Sequence, residues 1–251
     1  MKISFCIITL NEEENLGRCL RSCADLADDI LIVDSGSTDG TQNIAQQFCA
    51  RFVHQDWLGY VGQKNLALHL ATNEWVFSID ADEELSPTLR EEIAALKKIE
   101  PAREIAGFSM PRCVLYEGRW IRHGDWYPDR LVRLFRKSTA RFSGGKVHER
   151  LEIAGSITAL RGDLHHYSFR DVADHWARCQ KYAQLWAEMQ SESGKRATLL
   201  APHARGAFKW FRYYVLRGGF LDGGQGWRIA RICAREVHLK YSLLRQMNRG
   251  S

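Results

Sequence analysis

The first hundred residues alternate short β-branched runs with segments of helical period. That rhythm is the one left by parallel strands joined through crossover helices. Strands are predicted over residues 3–10, 30–34, 51–54 and 75–80. Asn11 and Glu14 have the spacing of a capping box, and Leu16, Cys19, Leu20 and Cys23 supply the buried face of the first helix. Ser37 or Thr38 opens the second helix, ahead of Ile44, Ala45 and Phe48. Ser86 and Pro87 open another through Leu89, Ile93 and Leu96. Residues 105–169 read as shorter strands with glycine-containing turns, and the chain from Arg170 onward reads as helical. The predicted fold is α/β and Rossmann-like, a mostly parallel central sheet flanked by helices. Residues 1–169 form its catalytic domain, with halves at 1–100 and 101–169, and 170–251 form a helical C-terminal extension.

With 45% apolar and 26% charged residues over 251 positions, the chain has the material for one full core and an appendage. The opening MKISFCIITLNEEEN has too short an apolar stretch and too many acids for a signal peptide, and no later run reaches the length of a membrane span. A cytosolic chain is expected. Seven cysteines, odd in number and without a CxxC pair, predict reduced core residues in place of disulfides or a zinc site.

The net charge of +5 hides an uneven distribution, because residues 207–249 hold nine Lys or Arg against Asp222 and Glu236. Phe208, Trp210, Phe211, Tyr213, Tyr214, Phe220, Trp227 and Tyr241 interleave with those cations, as on helices lying at an anionic lipid surface. Peripheral attachment to the inner face of the cytoplasmic membrane is the expectation. Single-stranded nucleic acid stacks on similar surfaces, but no recognised nucleic-acid module accompanies the stretch, so no such partner is expected.

Ligands of open α/β sheets bind beyond the carboxyl ends of the strands. Three of the predicted ends are acidic: Thr9-Leu10-Asn11-Glu12, the run from Asp34 to Gly40, and Asp80-Ala81-Asp82-Glu83. Neither GxxxxGK[ST] nor GxGxxG occurs, so a bound phosphate must be neutralised in another way. Asp80 and Asp82 are hard oxygen donors suited to Mg²⁺ or Mn²⁺ shared with a diphosphate. Trp126 offers aromatic surface to a sugar. Arg130, Arg133 and Arg136 recur every three residues and cannot share one strand face, so one of them, Arg130 or Arg133, is expected at the diphosphate or an acidic acceptor.

The series TLNEEENL, ILIVDSGSTDGT, QKNLAL and FSIDADE, in this order and at these intervals, resembles the nucleotide-binding half of glycosyltransferase family 2. RLVRLFRK, VHERL, HHYSF and GFLDGGQGW resemble, more narrowly, its lipopolysaccharide inner-core β-1,4-glucosyltransferases. The resemblance implies a GT-A fold and an inverting, metal-dependent transfer of a hexose, glucose from UDP-glucose, to an inner-core heptose. A peptide, a polysaccharide or a lipid carrier is the alternative acceptor, and a nucleotide-binding scaffold without turnover is the alternative outside enzymes. Thr9, Asn11 and Glu12 are then placed around the uracil and ribose and Asp34 on the base. Lys64 helps hold the nucleotide, Asp80 with Ala81 meets the ribose or metal shell, and Asp82 ligates the metal. Relatives carry the catalytic base in a Glu-Asp pair after the DxD, which this chain lacks. Glu149 is its nearest counterpart, with His148 supporting it or contacting the acceptor. The family also returns a histidine to the metal. Of His165 and His166 only one can face the site, since neighbouring strand residues point opposite ways; His166 is preferred.

Overall fold

A computed structural model describes residues 1–144 and 149–248. In chain order the first elements are β1 (Ile3–Thr9), α1 (Leu16–Cys23), β2 (Asp29–Asp34), α2 (Thr41–Gln47), β3 (Arg51–His54) and α3 (Gly59–Leu70). Next come β4 (Trp75–Ser78), β5 (Glu83–Leu85), α4 (Pro87–Lys97), β6 (Ile105–Tyr116), β7 (Arg119–Ile121) and β8 (Asp129–Arg136). β9 (Ala140–Gly144), β10 (Glu149–Ile153), β11 (Ser156–Ala159) and β12 (Leu164–His166) precede the helices α5 (Val172–Glu192), α6 (Ala201–Phe211) and α7 (Gly223–Met247). Two compact units result, one of Met1–Arg112 with Arg130–His166 and the other of Cys113–Asp129 with Tyr167–Ser251.

In the first unit β2 and β4 flank β1 and β3 flanks β2, all parallel. The sheet runs β3-β2-β1-β4-β8-β6-β12-β5 and turns mixed where β8 meets β4 and β12 meets β5, both antiparallel. Residues 3–7 of β1 are buried on both faces, as a strand covered by helices on both sides requires. On one face Phe5 stacks on Phe77 at 5.0 Å under Leu16, Cys19, Leu20 and Cys23 of α1. On the other, Cys6, Leu31, Val33 and Val76 meet Ala67 and Leu68 of α3. Each large aliphatic side chain buried in this way contributes about 1.5–3 kcal/mol.

Two helix starts differ from the sequence reading. α1 begins after Asn15 without a capping box, because Asn11 adopts a left-handed φ of 56° and its Oδ1 accepts the Thr38 N–H at 2.9 Å. α2 begins at Thr41 and not at Ser37 or Thr38: the Ser37 hydroxyl is committed to Asp34, and Asp39 accepts the Thr41 N–H at 3.0 Å. Ser86 caps α4 as predicted, accepting from Leu89.

In the second unit β7 forms a hairpin with the end of β6, Val114 opposite Ile121, and α5, α6 and α7 supply the helical region predicted after Arg170. The GFLDGGQGW stretch anchors that hairpin. Asp222, almost fully buried, accepts the backbone N–H groups of Arg122 and His123 and meets the His123 ring at 3.0 Å. Gly226 has room for no side chain, since a Cβ there would stand 1.9 Å from the Gly219 carbonyl oxygen. All seven cysteines are free and only Cys49 is exposed. Among the described residues no helix is long and apolar enough to cross a membrane.

Candidate active site

The chain leaves β1 toward β2 and comes back on the other side of β1 at β4, so the strand order reverses between these neighbours. A crevice opens at such a reversal, beyond the carboxyl ends of the strands. Residues 9–12 leave β1 there and residues 80–82 leave β4.

Asp80 is clamped from two sides. Lys64 Nζ, on α3, stands 3.2 Å from its Oδ1, and Arg133 Nη2, on β8, stands 2.6 Å from its Oδ2. The same Arg133 nitrogen is 2.6 Å from Oε1 of Glu83, whose side chain is fully buried. Burial opposes ionisation of Asp80, but Arg133 and Lys64 outweigh it and hold the carboxyl well below the usual carboxylate range. For Glu83, burial works against Arg133 and wins, and the neighbouring Asp80 charge pushes its carboxyl further up. Burial also disfavours the Arg133 cation, yet Asp80 and Glu83 more than compensate and keep the guanidinium charged.

Asp82 meets His166, whose Nε2 lies 3.2 Å from its Oδ2. Strand pairing brings them together: β12 runs antiparallel to β5, with His166 opposite Glu83 and His165 opposite Glu84. The other ring nitrogen, His166 Nδ1, is buried without a hydrogen-bond partner among the described residues, an arrangement that normally calls for a further partner. Burial raises the pKa of Glu12, and the charges of Asp82, Asp39 and Asp80 add to the rise, against a 2.9 Å hydrogen bond from Asn15. Carboxylates therefore crowd in this crevice, and the charge of one raises the pKa of another. Among the described residues no group of three His, Cys, Asp or Glu side chains could hold a metal alone. The pair Asp82 and His166 nevertheless fits one, because adjacent donors on an ion with bonds of about 2.1 Å lie about 3 Å apart.

The loop after β2 is built on Asp34. Its Oδ1 accepts from the hydroxyls of Thr9, at 2.7 Å, and Ser37, and its Oδ2 from the N–H groups of Gly36 and Ser37. All four acceptor positions of the carboxylate are thus filled by the chain itself. Burial disfavours the charge, but these donors lower the pKa of Asp34 on balance. Asn11 fastens the same loop through Ser37 and Thr38. Ala81 is buried between Asp80 and Asp82.

Arg130 donates to the carbonyls of Leu160, at 3.1 Å, and Ser109. Trp126 belongs to the second unit, where it stacks on Phe169 at 5.4 Å and meets Tyr116 and His175 edge-on. His148 lies outside the described residues, and Glu149 is described by its backbone alone, paired with Gly144. Sequence reading gave Glu83 no role, although the signal was present. Ala81, Glu83 and Leu85 alternate with Asp82 and Glu84, so a strand here turns Glu83 inward with the two apolar residues.

The model for Glycosyl transferase family 2 matches residues 4–152. The chain is 32% identical over 262 residues to the lipopolysaccharide core biosynthesis glycosyltransferase LpsC of Rhizobium meliloti (strain 1021), covering 99% of this chain and 96% of that protein. It is 30% identical to an uncharacterized glycosyltransferase of Rickettsia felis (strain ATCC VR-1525 / URRWXCal2), covering 98% of this chain and 92% of the relative. Among solved structures, S. aureus TarS 1-349 is similar with a TM-score of 0.50 at 15% identity, covering 100% of this chain and 92% of that one. That last likeness is one of fold, the GT-A arrangement of a mixed sheet flanked by helices. By the family match over more than half its length and by relatives aligned end to end, the chain belongs to glycosyltransferase family 2 and is a glycosyltransferase.

Proposed function

We propose that the chain moves a hexose, glucose from UDP-glucose, with inversion onto a hydroxyl of an inner-core heptose of lipopolysaccharide, and that it uses Mg²⁺ or Mn²⁺ to do so. The observation that carries this reading is the meeting of Asp82 and His166 at 3.2 Å beside Glu12 and the clamped Asp80. The name of LpsC, lipopolysaccharide core biosynthesis, supports the acceptor class.

Each residue type suits its part. Carboxylates accept hydrogen bonds from ribose hydroxyls and a uracil N–H, which suits Glu12 and Asp80, while Thr9, Asn11 and Asp34 keep the surrounding loop in place. Lys64 and Arg133 hold Asp80 ionised and fixed, so the nucleotide meets a preorganised acceptor. Asp82 and His166 would hold the cation, which would supply positive charge toward the departing diphosphate. Glu149 takes the proton of the acceptor hydroxyl as its oxygen bonds to the anomeric carbon and the diphosphate leaves from the opposite face. His148, His165 and Trp126 are assigned to the acceptor or to support. Arg130 is assigned to the diphosphate or an acidic acceptor. A lipopolysaccharide precursor anchored in the inner face of the membrane presents such a hydroxyl.

The test is UDP release from a panel of nucleotide-sugars, with Mn²⁺, Mg²⁺ or chelator and with lipopolysaccharide truncated at the heptose. UDP-glucose is expected to turn over only with metal and to be stimulated by the acceptor. Glu149→Gln is expected to lower kcat by a factor of about 10² to 10⁴. Stimulation by a peptide, a polysaccharide or a lipid carrier alone would replace the acceptor. A protein that consumes no donor under any metal condition would be a nucleotide-binding module.

A further inference from the structure

α6 packs on α7 through Pro202 and Gly206, both buried, and a Cβ on Gly206 would stand 3.0 Å from the Ala234 carbonyl oxygen. A helix whose inner face is covered normally turns a polar face outward. This one does not. Leu200, Ala204, Ala207, Phe208, Phe211 and Val215 are all exposed, and their spacing keeps them on one stripe of the helix. The helix then passes into a π turn, Arg212–Leu216, whose wider turn lets Leu216 follow Phe211 on the same stripe. Phe208 and Leu216 are each 61% exposed.

An aromatic belt and an excess of cations border the stripe. Trp210 stacks on Tyr214 at 5.2 Å, and both meet Trp227 edge-on at 5.4 and 5.3 Å. Rings with an apolar body and a polar tip favour the boundary between hydrocarbon and water. Lys209, Arg212 and Arg217 converge on the Asp125 carboxylate at 2.7, 3.3 and 3.9 Å. Three cations against one anion leave two positive charges over.

We propose that this face of the second unit docks on an anionic lipid bilayer, with Phe208, Phe211 and Leu216 entering the acyl boundary and Arg212 and Arg217 meeting phosphate headgroups. Apolar stripe, tryptophan and tyrosine border and flanking cations together are the pattern of a helix lying in the membrane interface. An apolar protein partner would account for the stripe but leaves the surplus charge unmatched. The inference deepens the membrane-anchored acceptor of the proposed function, and it is tested without donor or acceptor.

The experiment is co-sedimentation of the full chain with phosphatidylcholine vesicles, with or without phosphatidylglycerol, at low and high salt, alongside sedimentation velocity of the free protein. Binding is expected to require phosphatidylglycerol and to weaken with salt. Combined Phe208→Ser, Phe211→Ser and Leu216→Ser should lower partitioning by at least about tenfold, with an unchanged thermal melt because these side chains are exposed. Equal binding to neutral vesicles, or binding that survives the triple substitution, would overturn the proposal. So would a dimer of the free chain that the triple substitution dissolves, together with no vesicle binding: the face would then be a contact between two copies. Vesicle binding in a protein that consumes no nucleotide-sugar would uphold the docking face and reject the catalytic reading.

Discussion

One guanidinium nitrogen of Arg133 lies 2.6 Å from Asp80, across 53 residues of chain, and ties the acidic end of β4 to the neighbouring β8. The same nitrogen serves Glu83, so removing the cation leaves Asp80 to Lys64 alone and Glu83 with Arg112 no nearer than 4.0 Å. Arg133→Met is expected to destabilise the protein by about 3–5 kcal/mol in urea unfolding. Adding Glu83→Gln to that variant should recover part of the loss, because the fully buried carboxyl that lost its near cation is then gone. An additive or larger loss in the double variant would show that the pair does not work as a unit.

Acid should reveal the Asp80 clamp separately. A carboxyl held well below its usual range contributes stability that is present above its unfolded value of 3.8 and is lost as pH falls through the lower folded value. Thermal melts of Asp80→Asn should therefore converge on those of the unmodified protein as the pH falls below about 3.8. A difference undiminished by acid would remove charge from the explanation.

A second window lies closer to neutrality. His175 is buried among Tyr116, Trp126 and Phe169, and burial lowers its pKa from 6.5 to about 4. Between those values the unfolded chain binds a proton that the folded chain refuses, so stability present above pH 6.5 is lost as the pH falls toward 4. His175→Gln should flatten this dependence by on the order of 2 kcal/mol in melts recorded across the window. An unchanged slope would assign the dependence to other groups.

In the same unit, Asp222→Ala leaves the backbone N–H groups of Arg122 and His123 without their acceptor. A loss of about 2–3 kcal/mol in denaturant unfolding is expected, with Asp222→Asn costing less. If the alanine variant melts with the parent, the hairpin does not depend on this anchor.

What the sequence disclosed follows the range of the forces involved. Strand periods and strand-end acids are local, and the β-branched run over residues 3–10 announced the first strand before any neighbour was known. Ser86-Pro87 announced a helix start for the same reason, since the serine oxygen reaches only its own first turn. Asn11 misled because its side chain had two possible partners, and the distant Thr38 amide took it from the local cap. The arrangement of Asp80 with Lys64 and Arg133 depends on strand order, which no local pattern encodes. Of the aromatics that interleave with the C-terminal cations, Phe208 and Phe211 are exposed while Tyr213 is buried, a division that alternation with charge does not reveal because an apolar helix residue gives no sign of which face its neighbours will cover.

The central claim is that Asp82 and His166 form the metal end of a nucleotide-sugar site. Calorimetric titration of UDP into the protein, with Mn²⁺ or with chelator, tests it most directly, comparing the parent with Asp82→Asn and His166→Gln. The account predicts UDP binding that needs the ion and weakens by at least about tenfold in either variant, where one protein ligand of the cation is lost. UDP that binds as tightly with chelator as with Mn²⁺, or as tightly to Asp82→Asn as to the parent, would contradict it.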